Sequence, residues 1–305
     1  MHEQTSPESI YLQAADGFLI GALFYATNKP CRGNILVAGA TGVQQKLYRR
    51  FALFAAQQGF NVLTFDYRGI GLSPVSNLKT FQMNYLDWGY LDTAAAVDYL
   101  HSKEVPLYFV GHSFGGHALG LLPDPNKITA ACSFGSGAGW AGWMPKAEAR
   151  KVRFLWRFVL PVIVSLKGYM AWSLLGMGDD LPKGVYSAWK QWCQYPHYFF
   201  DDPNMEYIKE KYAQLSIPCL YATAVDDPWA PPKSRDAFVK ALTNAMLETQ
   251  NIEPRDQQAA IGHMGYFLSN MEWLWQSALD WLIAAEQYSA RSDSLPAGEK
   301  HHATY

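Results

Sequence analysis

Several things are scarce in this chain of 305 residues. Cysteine occurs four times, as Cys31, Cys132, Cys193 and Cys219, widely spaced. No two form a C-x-x-C pair, so neither the usual zinc-ligand spacing nor a disulfide framework is present. Cys132 and Cys219 sit in apolar, strand-like runs and read as buried, reduced thiols. Excess charge is scarce too: 25 Lys and Arg stand against 27 Asp and Glu, a net charge of −2, with no basic stripe. Nucleic acid is therefore not an expected partner. The first ten residues, MHEQTSPESI, lack the basic and apolar portions of a secretory signal, which makes a cytoplasmic location the expectation. A long apolar run is also missing. Residues 158–178 come nearest, with Lys167 the only charge, but Lys167, Pro161 and Gly168 speak against a membrane span. An apolar lid or an interfacial helix pair suits that stretch better. No internal repeat and no low-complexity segment appears.

What the chain does have is apolar bulk. Hydrophobic residues make up 49% and aromatic residues 15%, with 11 tryptophans. That is enough to bury the core of one large domain, or of one domain carrying an insertion.

Short apolar runs alternate with amphipathic stretches. Strands are expected at 19–25, 34–38, 61–66, 107–110, 128–134 and 218–224. Helices are expected at 48–58, 88–101, 115–121, 235–246 and 271–287. The runs are apolar throughout instead of alternating, which fits a mostly parallel sheet covered on both faces by helices. In such sheets, sites form at the carboxyl ends of strands. The glycine-bearing turns after residues 38, 66 and 110 fall at such ends.

Between residues 135 and 212 this rhythm stops. The segment contains Trp140, Trp143, Trp156, Trp172, Trp189 and Trp192 with several prolines, and no clear strand. It reads as a helical lid inserted over the carboxyl edge of the sheet. The expected organisation is a core of 1–134 and 213–288, a lid of 135–212, and a polar, mobile tail of 289–305.

The stretch Val110-Gly111-His112-Ser113-Phe114-Gly115-Gly116 follows a strand and opens a helix. This is the G-x-S-x-G turn that presents a nucleophilic serine. The turn is so sharp that Gly111 and Gly115 are needed on either side of Ser113. At the start of a helix, backbone N–H groups favour developing negative charge near the serine.

A serine hydroxyl needs a base, and the base needs an orienting acid. Of eight histidines, His2, His301 and His302 lie in the tails, and His101 ends a helix away from the strand tips. His112 points away from Ser113, and His117 is expected to pack on the sheet. His197 lies in the lid, within reach of a substrate. His263, in a glycine-flanked loop before the last helix, is the expected base. The acid should follow a late strand. The run after 218–224 offers Asp226 and Asp227, of which one can reach His263. Either gives the chain order Ser, Asp, His of this motif class. An oxyanion needs two donors. One is the Phe114 N–H. The other is expected from the loop after 34–38, at Ala40 or alternatively Thr41.

With GHSFGG at 111–116, DYRGIGLS at 66–73, AGATG at 38–42, DPWAP at 227–231 and GHMGYF at 262–267, the chain resembles the α/β-hydrolase superfamily from about Ser9 to Gln287. The pattern is similar to lid-bearing serine hydrolases of the monoacylglycerol lipase and serine aminopeptidase group. The D-P-x-x-P frame of that group singles out Asp227 as the acid. The chain departs from it at Ala38-Gly39, where His-Gly is usual.

The resemblance implies an esterase that passes through an acyl-enzyme on Ser113, His263 and Asp227, with no metal or organic cofactor. Its expected partner is a small acyl substrate, with an apolar carboxylic ester first and a thioester or lipid ester second. The rivals are acyl transfer, C–C bond hydrolysis or amide hydrolysis on the same residues, and a non-catalytic binding module. Peripheral membrane contact through 158–178 is a further, separate expectation. The oligomeric state is not readable from the sequence.

Overall fold

The computed structural model describes residues 6–255 and 260–294. Eight strands form one sheet: β1 (Glu8–Gln13), β2 (Leu19–Tyr25), β3 (Gly33–Ala38), β4 (Phe60–Phe65), β5 (Leu107–His112), β6 (Ala130–Phe134), β7 (Pro218–Ala224) and β8 (Met246–Ile252). Their spatial order is β1-β2-β4-β3-β5-β6-β7-β8. β1 pairs antiparallel with β2, and β2 antiparallel with β4; every other pairing is parallel. The six strands read from the sequence are all present, within two residues at each end, and mostly parallel describes the sheet.

Two strands were not legible. β1 is an edge strand with one buried residue in six, and β8 is the other edge, with a run of exposed Glu248, Thr249, Gln250 and Asn251. Edge strands bury little, so they lack the apolar run that marks the central ones. The helix expected at 235–246 is shorter, Pro232–Val239, and Met246 already belongs to β8.

The helices of the core are α1 (Arg49–Gln57), α2 (Ala94–Leu100), α3 (Phe114–Ala118), and further on α8 (Pro232–Val239) and α9 (Glu272–Ser294). Between them lie four helices of the insertion: α4 (Lys146–Phe154), α5 (Leu160–Lys167), α6 (Lys183–Trp192) and α7 (Glu206–Ala213). A helical insertion around residues 146–213 thus stands where the aromatic segment is. α9 runs on to Ser294, past the expected boundary at 288; residues 295–305 of the expected tail lie outside those described, as do His2, His301 and His302.

One core cluster, with Phe51, Trp275, Val110 and Cys132, lies between the sheet and helices α1 and α9. The other joins the opposite face of the sheet to the aromatics of the helical insertion through Trp88, Phe114, Trp172 and Trp192. The sheet register places Ala38 beside Gly111, Gly111 beside Ser133, and Phe134 beside Ala222. The turns that follow β3, β5, β6 and β7 therefore emerge side by side at one edge, under the insertion.

Candidate active site

The turn after β5 is built for close approach. A Cβ on Gly115 would lie 1.9 Å from the Ala38 carbonyl oxygen, and one on Gly111 2.6 Å from the Gly116 nitrogen. Only glycine fits at either place, and the backbone of Ser113 takes up the bend at φ 53°, ψ −113°. The Ser113 N–H donates to the Phe134 carbonyl at 2.9 Å, and Ser136 Oγ donates to the Ser113 carbonyl at 2.7 Å. A strained turn persists only when its surroundings fix it, and these bonds do so.

The structure brings Ser113, His263 and Asp227 together. Ser113 Oγ lies 3.0 Å from His263 Nε2. His263 Nδ1 lies 2.9 Å from Asp227 Oδ2 and 3.1 Å from Oδ1. A carboxylate only accepts, so the Nδ1 proton stays on the ring and Nε2 presents its lone pair to the serine hydroxyl. Asp227 is buried. Burial alone would raise its pKa, but the charge of His263, its hydrogen bond and the N–H groups of Ala230 and Trp229 outweigh burial and hold it low. Tyr266 Oη donates to Asp227 as well, at 2.9 Å.

Asp226 does something else. Its carboxylate accepts the N–H groups of Ile261 and Gly262, at 2.9 and 3.1 Å, and so braces the loop that carries His263. It makes no contact with the imidazole among the described residues.

The loop after β3 differs from the first expectation. The Ala40 N–H donates to Tyr48 Oη at 2.8 Å and is thereby committed elsewhere. The Thr41 N–H makes no hydrogen bond among the described residues. Thr41, like Phe114, lines the cavity at Ser113. Ala40 therefore gives way to Thr41 as the candidate second donor. The reason is tertiary: Tyr48 packs against Gly39, where an added Cβ would meet its ring at 2.9 Å.

Tyr48 continues into a chain that the sequence did not reveal. Its hydroxyl lies 3.0 Å from His112 Nδ1, and His112 Nε2 lies 2.8 Å from the His263 carbonyl oxygen. A carbonyl only accepts, so Nε2 carries the proton, and Tyr48 donates to Nδ1. Full burial, with the nearby charge of His263, pushes the His112 pKa down to about 3 and keeps the ring neutral. The loop after β3 is thus tied to the backbone of His263. The D-x-R-G-x-G-x-S turn steadies the same loop: Asp66 accepts from the Gln45 N–H at 2.7 Å and the Leu72 N–H at 2.9 Å.

Two cavities meet at Ser113 and His263. The inner one, of about 40 Å³, is walled by buried residues that include Phe114, His117, Met144, Trp156 and Tyr198. The outer one, of about 750 Å³, runs between the loop after β3 and the helical insertion, past Trp172 and Asp179 to the exposed Met177 and Met264. His117 faces the lid aromatics and the inner cavity, a different place from the sheet packing expected of it. Its Nε2 donates to the Gly137 carbonyl at 3.0 Å. His197 is paired with Asp201 at 3.0 Å and lines neither cavity, so it is not positioned on a substrate at Ser113. Cys132 and Cys219 are buried as expected, and burial pushes both thiols up. Among the described residues no cluster of His, Cys, Asp and Glu is arranged to hold a metal ion. No described helix is long and apolar enough to cross a membrane.

Comparison with known proteins agrees with this geometry at the level of fold. No curated protein matches the chain by sequence. Among solved structures, a monoglyceride lipase of Saccharomyces cerevisiae in complex with a substrate analogue superposes with a TM-score of 0.66 at 18% identity, covering 93% of this chain and 97% of that one. A thermophilic esterase of Thermogutta terrifontis with malate bound gives 0.58 at 15% identity, over 92% and 99%. A monoacylglycerol lipase of Paleococcus ferrophilus gives 0.55 at 16%, over 87% and 99%. The sequence itself matches the profile of the alpha/beta hydrolase family over residues 35–273. With that match spanning most of the chain, the sheet order and the strand–serine–helix turn have one description: the protein belongs to the alpha/beta hydrolase family.

Proposed function

We propose that the protein is a serine hydrolase that cleaves a carboxylic ester of a small, largely apolar molecule through an acyl-enzyme. The observation that carries this reading is the unbroken line of hydrogen bonds from Asp227 through His263 to Ser113 Oγ. In the first half-reaction His263 Nε2 takes the Ser113 proton as Oγ attacks the ester carbonyl. Asp227 holds the imidazole tautomer and stabilises the imidazolium. The N–H groups of Phe114 and Thr41 receive the developing oxyanion. His263 then returns the proton to the leaving alcohol. A water, deprotonated by the same nitrogen, attacks the acyl-enzyme and releases the acid and free Ser113. The chemistry needs no metal or organic cofactor.

Intact mass after treatment with a fluorophosphonate tests this reading. Wild type should gain one adduct, Ser113→Ala none, and His263→Ala should label very slowly. A folded wild type that takes no adduct contradicts it. A thioester follows the same steps with a thiol leaving. Acyl transfer to an alcohol, C–C hydrolysis and amide hydrolysis would be recognised by their products, and a non-catalytic module by the absence of labelling.

A second reading concerns where the enzyme works. On the lid, Phe154, Phe158, Val162 and Leu166 follow one another at intervals of four and are 55–78% exposed. Lys146, Arg150, Lys151, Arg153, Arg157 and Lys167 flank them. An apolar helical stripe bordered by cations suits the headgroup layer of an anionic bilayer. Flotation with phosphatidylserine-containing liposomes, lost in Phe158→Ser/Leu166→Ser, is the expected result; equal flotation of both proteins, or of neither, contradicts it.

A further inference from the structure

We infer that Tyr85 is the positioning residue of the oxyanion site: its ring and its hydroxyl hold together Phe114 and Thr41, the two residues whose N–H groups receive the oxyanion. This rests on the serine-hydrolase reading and adds to it a residue that acts through those donors.

The two donors lie on separate loops, one after β3 and one after β5. Phe114 opens α3, and neither its N–H nor that of Thr41 makes a hydrogen bond among the described residues. Such donors act only when both lie about 2.7–3.1 Å from the oxyanion, so the spacing of the two loops has to be fixed. Tyr85 touches both residues. Its ring stacks on Phe114, with centroids 4.5 Å apart and planes 16° from parallel. Its hydroxyl is hydrogen-bonded to Thr41 Oγ1. All three residues line the cavity at Ser113.

The direction of the Thr41 bond follows from burial. Tyr85 is buried, and Thr41 is the one hydrogen-bond partner of its hydroxyl among the described residues. If Thr41 donated, the phenol proton would be buried without an acceptor, which is costly. Tyr85 therefore donates to Thr41 Oγ1. Thr41 is half-buried and borders both cavities, so its own proton is left to water or substrate. Burial pushes the Tyr85 pKa well above its ordinary 10, so the donor keeps its proton at neutral pH. A phenylalanine would make the same stack. What tyrosine adds at this place is the bond to Thr41.

A residue that positions others must itself be fixed. Trp192 of α6 stacks on Tyr85 at 5.4 Å and 11°, and Trp88 packs edge-on against it at 5.1 Å. Trp88 is held in turn by its Nε1, which donates to the Arg68 carbonyl at 3.1 Å. The turn that carries Tyr85 is closed on both sides. The Asn84 N–H donates to Asp87 Oδ2 at 2.8 Å, and the Leu86 N–H donates to Asn84 Oδ1 at 2.9 Å.

The test reads the rate at which a fluorophosphonate labels Ser113, which requires no knowledge of the ester. Oγ bonds to phosphorus, His263 takes the Oγ proton, fluoride leaves with the electron pair of the P–F bond, and the phosphoryl oxygen lies where the ester oxyanion would. Tyr85→Phe should lower the limiting rate of labelling about tenfold, as for one hydrogen bond felt in the transition state, with the half-saturating concentration unchanged. Thr41→Val should lower it about as much, and Thr41→Ser, which keeps the hydroxyl, should recover most of the rate. The double variant Tyr85→Phe/Thr41→Val should be no slower than the slower single one, because both remove the same bond. A Tyr85→Phe protein that labels at the wild-type rate, losses that multiply in the double variant, or a loss that appears in the half-saturating concentration instead would each overturn the inference and leave the hydrolase reading standing. A wild type that folds but does not label overturns both. If Tyr85→Phe does not fold, the two Thr41 variants decide: Thr41→Ser well above Thr41→Val supports the inference, and equal rates overturn it.

Discussion

The loops at the sheet edge and the helical insertion above them, the lid of the proposed reading, are held in different ways. The edge loops are fixed by directional polar bonds at short range: Asp226 on the His263 loop, Asp66 on the loop after β3, and Tyr48 with His112 between the two. The lid is held mainly by rings. Trp156 stacks on Tyr186, Tyr85 stacks on both Phe114 and Trp192, and Trp189 packs edge-on against Trp156. Hydrogen bonds weaken steeply with distance and angle, so they fix atoms. Ring packing fills volume and tolerates small shifts. The candidate reacting groups, Ser113, His263 and Asp227, sit on the first kind of support, and on the proposed reading the surface that would select substrates sits on the second.

The two aspartates give the sharpest division. On the proposed reading Asp227→Asn should lower kcat by about 10⁴-fold, since the imidazole loses its tautomer, and should also lower stability by about 1.5–3 kcal/mol, because the Trp229 and Ala230 N–H groups lose a charged acceptor. Asp226→Asn should lower stability by a similar amount, through the Ile261 and Gly262 N–H groups, and should leave kcat and its pH profile unchanged. Urea unfolding and kcat measured on the same preparations separate the two effects; the opposite assignment would make Asp226 the acid. Next in size is Tyr48→Phe, which releases the Ala40 N–H and removes the donor to His112. A loss of about tenfold in kcat with KM unchanged is expected, as for one hydrogen bond in the transition state. An unaltered kcat would mean that the bridge between the loops positions nothing.

Acid should weaken the fold through two buried imidazoles, His112 at the sheet edge and His117 against the aromatics of the insertion. His112 and His117 are neutral when folded, with pKa values pushed down to about 3 by burial, against an ordinary value of 6.5. The unfolded chain therefore takes up protons that the folded chain refuses. This contribution to stability is whole above about pH 6.5 and is lost as pH falls from there towards 3, at up to about 1.4 kcal/mol per pH unit for each ring. Tm should fall between pH 7 and pH 5, and His117→Phe should halve that slope. Asp227, whose pKa is lowered, adds a similar loss only below its ordinary 3.8. The smallest effect belongs to the outer face of the lid. Leu166→Ser, at a position 78% exposed, should change stability by no more than about 0.5 kcal/mol. A larger loss would show that the stripe is packed in solution.

The central strands, the Ser113 turn, His263 and the pair Asp226–Asp227 were legible because each depends on local pattern: an apolar run, glycines at fixed offsets, an acid after a strand. What escaped depends on partners far along the chain. Tyr48 looked like the first residue of a helix, and nothing in AGATG announces that the Ala40 amide is taken by a hydroxyl eight residues on. His112 and His117 were noticed and passed over, since their roles lie in what their ring nitrogens meet. β1 and β8 escaped because edge strands have little to bury.

Asp179 belongs to the insertion and is bonded to the core. Its backbone N–H donates to the Gly42 carbonyl at 2.8 Å, and its carboxylate accepts from Gln44 Nε2 at 2.8 Å and from the Gly71 N–H at 3.1 Å. One short segment of the lid thus holds the strand-tip turn that contains Thr41. On the proposed reading access and readiness would therefore be opposed: shifting that segment to widen the mouth would break those bonds together and withdraw support from the turn that offers the Thr41 N–H.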